Sequence, residues 1–167
     1  MRRAMYAVVG GLALRLERHL AIARLASLQQ RGAKIGHGVT VFGGFHFHGD
    51  PRNLEIGDHS TINAGVVLNA SARLVIGAHV RISNHVQIQT DELVPESGEI
   101  HREHRTGAVV IGDGAWLASG SIIVPGVKVG ARAIVAAGSV VVDDVPSDVL
   151  VAGVPARVRR ILKTSIQ

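Results

Sequence analysis

The sequence predicts an all-β solenoid, a prism of short strands with an α-helix before it and a short helix after it. Three observations support this fold class. From Ile35 onward an aliphatic residue returns at every sixth position within each uninterrupted segment. A small or β-branched residue recurs four positions after most of these anchors. A glycine often follows the anchor directly, as at Gly36, Gly57 and Gly112.

A period of six fits neither of the two common secondary structures, because a helix face repeats every ~3.6 residues and a long strand alternates. It fits short strands joined by tight corners, and the glycines supply the turns. Stacked triangular coils then bury the aliphatic ladder while the backbone of each coil pairs with the next. The anchors are Ile35, Val41, Phe47, Ile56, Ile62, Leu68, Ile76, Ile82, Ile88, Ile111, Leu117, Ile123, Val129, Val135 and Val141.

The first segment, residues 1–32, is predicted to be an amphipathic helix that ends before Gly32. Its apolar run from Ala4 to Leu14 is too short to span a bilayer. We expect the helix to pack on its own prism or on a neighbouring subunit, and a peripheral contact with a membrane surface is the alternative. Its apolar positions are Leu12, Leu14, Leu16, Leu20, Ile22 and Leu25.

The second segment, residues 33–150, is the predicted prism, and a loop at 90–107 interrupts it. From Ile88 to Ile111 the spacing is 23 positions instead of six, and the insertion reads TDELVPESGEIHREHRTG. Long insertions in a packed repeat project from one face and frequently carry function. Residues 151–167 are expected to cap the prism and to end in the short helix.

Composition narrows the classes of function. The absence of cysteine excludes a disulfide framework, a thiolate metal site and a cysteine nucleophile, and favours a cytoplasmic location. The net charge of +5 comes largely from basic residues near the two ends, which suggests anionic partners. Nucleic acid is not expected, because only 3% of the residues are aromatic and no recognition motif is present.

The residues from Ile111 to Arg160 resemble the hexapeptide-repeat acyltransferases, in particular the sugar O-acetyltransferases of the maltose, galactoside and nodulation type. The matching pieces are Ile-Gly-Asp-Gly-Ala-Trp at 111–116, Pro-Gly-Val at 125–127, Ala-Gly-Ser-Val-Val at 137–141 and Ala-Gly-Val-Pro-Ala-Arg at 152–157. The resemblance implies a left-handed parallel β-helix and a homotrimer. It also implies acetyl-coenzyme A as acyl donor, bound in the groove between adjacent prisms, and a glycan or small-molecule acceptor.

The resemblance also implies roles for individual residues at the donor site. Trp116, Ser119 and Ala137 would meet the pantetheine arm, chiefly through backbone groups. Arg157 and Arg160 would approach the phosphates of the coenzyme, where a cationic fork is well suited. Where the family commonly has Thr-Lys, Val142 and Asp143 stand instead, so one contact to the phosphate or adenine is expected to be missing.

Acetyl transfer to a hydroxyl needs a base, and a placed histidine is typically worth about 10²–10⁴ in rate. The resemblance puts this histidine in the insertion, where counting back from Ile111 gives Glu92 instead. Three hypotheses follow. The base comes from the other end of the insertion, as His104 or His101; or Glu92 itself accepts the proton in a buried setting; or the site is degenerate and the chain is a coenzyme-binding or scaffold trimer.

Two further residues are candidates for contact with the acceptor. Asn63 falls on a family position that contacts the acceptor or orients the catalytic region, and its amide can form such hydrogen bonds. His85 lies on a corner of a coil. A metalloprotein like the γ-type carbonic anhydrases is the alternative on the same fold, because His59 and His79 would stack one coil apart, but the paired histidines of that family are missing and we expect no metal.

Overall fold

The computed structural model describes residues 2–96 and 99–162 and, within these ranges, the side chains of residues 13, 15–94 and 104–162. This part of the chain forms one helix, α1 (Arg2–Gln30), followed by nineteen short strands and a 3₁₀ turn at Pro51–Asn53. The strands are β1 (Lys34–Ile35), β2 (Thr40–Val41), β3 (His46–Gly49), β4 (Leu54–Ile56), β5 (Thr61–Ile62), β6 (Val67–Ala70), β7 (Leu74–Ile76), β8 (Arg81–Ile82), β9 (Gln87–Ile88), β10 (Asp91–Glu96), β11 (Glu99–Thr106), β12 (Val109–Ile111), β13 (Trp116–Leu117), β14 (Ile122–Ile123), β15 (Lys128–Val129), β16 (Ile134–Val135), β17 (Val140–Val141), β18 (Val149–Gly153) and β19 (Ala156–Ile161).

The strands form the three faces of a prism. The first face contains β1, β4, β7, β12 and β15; the second β2, β5, β8, β13, β16 and β18; and the third β3, β6, β9, β14 and β17. Strands within these faces pair in parallel, with successive anchors opposite each other, as Ile62 opposite Ile82 and Leu117 opposite Val135. The chain therefore winds through about five turns, as the period of six predicts.

The anchors of the repeat form the interior of the prism. Every anchor except Ile35 and Phe47 is buried, and these two pack against the core in the first coil. The second inward position is filled mostly by small or β-branched residues such as Ala115 and Ala133. A narrow prism has room for such side chains only, which explains why the core uses almost no aromatic residues.

One edge of the prism, between the second and third faces, carries backbone in the left-handed region. Gly65, Gly120 and Gly138 have φ of +73°, +69° and +65°, and His85 adopts +58° at the equivalent corner of its coil. A residue without a Cβ adopts this conformation without steric cost. We call this edge the glycine edge.

The insertion is more ordered than the sequence predicted. Instead of a loop, residues 91–96 and 99–106 pair as an antiparallel hairpin of β10 and β11. It leaves the prism at the edge between the third and first faces, after β9, and β12 then resumes the first face with Ile111 opposite Ile76. We call this edge the hairpin edge.

The predicted short C-terminal helix is wrong for the described residues. β18 and β19 form an antiparallel hairpin that extends the second face, with Leu150 opposite Arg160 and Gly153 opposite Ala156. The apolar face of β18 closes the open end of the prism through Val149 and Val151, which are both buried. An extended backbone satisfies the unpaired groups of the last coil better than a helix, because β16 offers a strand to pair with. Residues 163–167 lie outside the described part of the chain.

Helix α1 has the predicted extent, but a different face of it is buried. Ala21, Leu25 and Leu28 pack into the core, whereas Leu16, Leu20 and Ile22 are exposed. The guanidinium of Arg24 donates to the backbone carbonyl of Phe45 and fixes the helix against the first coil. In the described residues no helix is both long and apolar enough to cross a membrane.

Two buried serines at the same position of the repeat offer a matched test of core hydrogen bonding. Ser60 donates to the carbonyl of Gly77 at 2.7 Å and accepts from the amide of Val80 at 3.0 Å. Ser121 Oγ has no partner among the described residues.

Ser60→Ala is expected to lower the free energy of unfolding by about 1–3 kcal/mol, because it leaves buried backbone groups unpaired. Ser121→Ala is expected to be neutral or stabilising, because it removes an unsatisfied hydroxyl. Chemical denaturation measures both, and equal losses would contradict this account.

Candidate active site

The hairpin of β10 and β11 stands on a closed base. The amide of Gly107 donates to the carbonyl of Thr90 at 2.9 Å, so the two ends of the insertion meet at the hairpin edge. Above this base Asp91 lies opposite Thr106 and Leu93 opposite His104. Diagonal neighbours of an antiparallel pair lie on the same face. Asp91 and His104 therefore share one face of the hairpin.

The two side chains on this face form a carboxylate–imidazole pair. His104 Nδ1 lies 3.2 Å from Asp91 Oδ2. The carboxylate is 20% exposed, whereas the imidazole is 54% exposed. The carboxylate is thus mostly shielded from solvent, whereas the imidazole is accessible to a substrate.

Asp91 is held from below by the preceding coil. Its Oδ1 accepts a hydrogen bond from the side-chain amide of Asn69, at the end of β6. The neighbouring Thr90 is fully buried, and its hydroxyl lies 3.0 Å from the carbonyl of Asn69. The pair at the root of the hairpin is therefore anchored to the prism.

Glu92 points to the other face of the hairpin, as adjacent residues of a strand do. Its carboxylate accepts from Arg105 Nε at 2.8 Å and also contacts the Nη2 group. Glu92 is only partly buried, so the buried setting required for a carboxylate base is not found there. The backbone of His101 belongs to β11, but its side chain lies outside the described part of the structure.

The structure brings Ser119 and Ala137 together on the glycine edge. Both are exposed, and the amide of Gly138 donates to the carbonyl of Ser119 at 3.0 Å. His85 occupies the same edge one coil earlier, because the amide of Gly120 bonds to the carbonyl of Asn84. Trp116 lies beside this edge on the second face, 45% exposed, with its indole N–H donating to Ser83 Oγ at 3.0 Å.

The two arginines expected near the coenzyme phosphates lie exposed on β19. Arg157 Nη1 donates to Asp143 Oδ2 at 2.9 Å and to the carbonyl of Ala156 at 3.0 Å. Asp143 is one of the two residues that depart from the family pattern. The departure at Asp143 therefore gives Arg157 an internal partner.

The glycine edge continues into a pocket of about 560 Å³ beneath helix α1. Its apolar lining comes mainly from Leu20, Ala21 and Phe45, and its polar groups include Arg24 and His85. Asn63 does not line this pocket. Its amide donates to the carbonyl of Ile82 at 2.8 Å and so braces the next coil.

His59 and His79 stack one coil apart, as the sequence predicted. Their ring centroids are 5.2 Å apart with an interplanar angle of 23°. Within residues 2–96 and 99–162, no three His, Cys, Asp or Glu side chains are placed to hold a metal.

Comparisons with known proteins place these features in a family. Residues 108–143 match the family described as bacterial transferase hexapeptide (six repeats). A galactoside O-acetyltransferase of Lactococcus lactis is 27% identical over 140 residues, which cover 83% of this chain and 67% of that protein. A galactoside O-acetyltransferase of Escherichia coli is 32% identical over 109 residues, which cover 65% of this chain and 54% of that protein. The chain thus spans about half to two thirds of the length of these relatives.

A crystal structure of a hexapeptide-repeat acetyltransferase from Vibrio cholerae gives a TM-score of 0.79 at 35% identity, covering 97% of this chain and 93% of that one. The chain belongs to the hexapeptide-repeat acetyltransferases. A second structure of the Vibrio cholerae protein, complexed with acetyl-coenzyme A, matches with a TM-score of 0.78 and covers 89% of that chain. The left-handed parallel β-helix predicted for this acetyltransferase is confirmed.

Two candidate functional residues of this chain were not predicted from the sequence, namely Asp91 and Asn69. Asp91 lies inside the insertion, but its relation to His104 depends on the hairpin register, which an unstructured loop would not provide. Asn69 lies 22 positions before Asp91 and meets it only because the coils stack. Neither contact follows from a local pattern in the sequence.

Proposed function

We propose that this chain is an O-acetyltransferase that moves an acetyl group from acetyl-coenzyme A to a sugar hydroxyl, in surface polysaccharide biosynthesis. The observation that carries the proposal is the contact of His104 Nδ1 with the carboxylate of Asp91. A carboxylate at Nδ1 favours the tautomer with its proton on that nitrogen. Nε2 is then a lone-pair acceptor, and the exposed imidazole offers it to a bound hydroxyl.

The step assigned to His104 is general base catalysis. Nε2 takes the proton of the acceptor hydroxyl while the oxygen attacks the thioester carbonyl carbon. The C–S bond then breaks, and the thiolate leaves with the proton from the imidazolium. The products are the acetyl ester and the free coenzyme thiol. Asp91 stabilises the transient imidazolium, as carboxylates do in related acid–base pairs.

The donor is proposed to lie along the glycine edge. Ser119 and Ala137 are exposed on this edge, and their small side chains leave room for a pantetheine arm. Trp116 borders the edge, and its partly exposed indole offers an apolar wall. Arg157 and Arg160, on β19, are proposed as cationic partners for the phosphates of the coenzyme. Arg157 must release Asp143 before it can bind a phosphate.

His104 and the glycine edge lie at different edges of one prism. The hairpin leaves between the third and first faces, whereas Ser119 and Ala137 lie between the second and third. We therefore propose a homotrimer in which His104 of one chain reaches the glycine edge of its neighbour. A closed three-fold ring presents those two different surfaces to each other at every interface.

The acceptor is proposed to bind in the pocket beneath α1, where the glycine edge ends. Pockets for small molecules combine an apolar lining with a few polar groups that fix orientation. Here the exposed Leu20 could face the C–H surface of a pyranose ring, while Arg24 and His85 could bond its hydroxyls. The relatives named as galactoside O-acetyltransferases support a sugar as acceptor. Asn63 acts on this pocket only indirectly, by bracing the coil that carries it.

The function is tested by a thiol-release assay with acetyl-coenzyme A over a panel of acceptors. The panel contains galactosides, glucosides, oligosaccharides of surface polysaccharides, amino sugars and serine. The proposal is supported if a sugar raises thiol release above the rate of acetyl-coenzyme A hydrolysis and the product contains the acetyl ester. If the chain binds the coenzyme but acetylates no member of the panel, it is a scaffold or a degenerate enzyme. If it acetylates only an amine or serine, the proposed sugar acceptor is wrong.

The shared site predicts complementation between two inactive variants. His104→Ala removes the base, and Ala137→Trp fills the glycine edge without touching the hairpin. When the two are denatured, mixed in equal amounts and refolded, activity is expected to recover to about a quarter of wild type, because half of the bases and half of the edges are intact and they combine at random. Each variant refolded alone is the control. No recovery in the mixture, with both variants trimeric, would place the base and the donor in one chain.

A further inference from the structure

A continuous set of hydrogen bonds leads from the buried interior to His104. The hydroxyl of Thr90 accepts from the amide of Ala72 at 3.0 Å and lies 3.0 Å from the carbonyl of Asn69 and 3.2 Å from its Oδ1. Asn69 Nδ2 donates to Asp91 Oδ1. Asp91 Oδ2 in turn faces His104 Nδ1. Asn69 is thus the link between the rigid prism and the carboxylate.

The orientation of the Asn69 amide is determined by its neighbours. Its Oδ1 accepts from the backbone amide of Ser71 at 2.9 Å, and a backbone amide can only donate. The Oδ1 end of the side chain is therefore fixed as the acceptor, with the Thr90 hydroxyl as a second neighbour. The NH₂ end must then face Asp91. The carboxylate oxygen of Asp91 accepts from this amide, which fixes the rotation of the carboxylate.

We propose that Asn69 is a positioning residue for the acetyl transfer. It holds the Asp91 carboxylate turned so that Oδ2 meets Nδ1 of His104, which keeps the proton on Nδ1 and the lone pair on Nε2. Asn69 touches neither donor nor acceptor and acts only through Asp91. The proposal rests on the proposed function of His104 as the base.

A structural role is the competing explanation, because the bond from Ser71 to Asn69 Oδ1 is a local turn that stiffens the corner after β6. Asn69→Asp separates the two roles. The aspartate keeps an oxygen for the Ser71 amide but places a second carboxylate against Asp91. Asn69→Ser is the second variant, because it adds no charge and its side chain is too short to reach Asp91.

The charged neighbours of the pair are few among the described side chains. Glu92 and Arg105 flank Asp91 and His104 on the hairpin and bind each other on its other face. On the prism, His48 lies opposite Asn69 in the adjacent strand β3. His48→Ala is therefore the control for an effect of that neighbouring imidazole on the pH profile.

The decisive experiment combines a double-mutant cycle with pH profiles of kcat. Asn69→Ser is expected to lower kcat by about 10–100-fold, the usual range for loss of an orienting partner, with little change in KM for acetyl-coenzyme A. In an Asp91→Ala background the same change is expected to cost less than about 3-fold, because the side chain through which Asn69 acts on His104 is already absent. Asn69→Asp is expected to move the acid limb of the profile to higher pH by about one unit or more, because adjacent carboxylates resist joint ionisation.

Each failure has its own signature. If Asn69→Ser costs the same factor in both backgrounds, or if Asn69→Asp matches wild type at every pH, Asn69 has a structural role only and the proposal is overturned. If His104→Ala retains full activity, the proposed base is wrong and the role of Asn69 falls with it. Should Asn69→Asp not fold, the cycle with Asn69→Ser decides alone, and thermal unfolding verifies that those variants are native.

Discussion

Replacing His104 by alanine is expected to lower kcat by about 10²–10⁴, while KM for acetyl-coenzyme A changes little. The physical reason is that a sugar hydroxyl is a poor nucleophile until a base takes its proton. His104 is the described imidazole that is both exposed and held by a carboxylate through Nδ1. The donor is expected to bind along the glycine edge, which the substitution leaves intact.

The control for this result is Glu92→Gln, which lies in the same hairpin one residue after Asp91. Glu92 is bound to Arg105, so its loss is expected to change kcat by less than about 3-fold, as for an exposed ion pair. His101→Ala completes the set, because His101 is the other candidate at that end of the insertion. Added imidazole should restore part of the activity of His104→Ala. If Glu92→Gln or His101→Ala shows the large loss instead, the base is that residue.

Leu117→Ala is expected to lower the free energy of unfolding by about 2–5 kcal/mol, the largest stability effect that we predict. Leu117 is fully buried and lies in the middle of the second face, between Ile82 and Val135. In a prism of repeated small layers, the flanking side chains are fixed by their own coils and cannot collapse into the space. The cavity therefore persists, and its cost adds to that of the lost apolar contact.

The measurement is denaturant unfolding at one protein concentration, because subunit association would contribute to the apparent stability. Val142→Ala is the control, since Val142 is exposed on the outside of the same fold. It is expected to change the free energy of unfolding by less than about 0.5 kcal/mol. A loss below about 1 kcal/mol for Leu117→Ala would show that the coils shift to fill the cavity.

The prism could be predicted from sequence because its determinant is local. An aliphatic anchor every six residues, as at Ile76, Ile82 and Ile88, specifies both the inward side and the position of each corner. The burial of all three follows directly. The capping segment was predicted less well, since the pairing of β18 with β16 depends on an open strand that only the folded prism provides.

The site was only partly predictable for a related reason. The sequence identified the insertion and named His104, but assigned no role to Asp91. Their contact requires a hairpin with a bulge after Leu93, and neither the pairing nor the bulge follows from composition. The role of Asn69 could not be predicted from the sequence, because its hydrogen bond to Asp91 joins two successive coils. Contacts between polar side chains of different coils depend on how the coils stack. The six-residue period of aliphatic residues does not specify these contacts.

The closed base of the hairpin has a consequence for how such proteins diversify. The insertion leaves and returns at adjacent backbone positions, since the amide of Gly107 bonds to the carbonyl of Thr90, and Ile111 takes its place over Ile76 as if nothing intervened. The packing of the core therefore does not depend on the length or composition of the insertion. Residues of the hairpin can be exchanged, added or lost through mutation while the stacked coils keep their stability, so that new acceptors and new bases can arise on an unaltered framework.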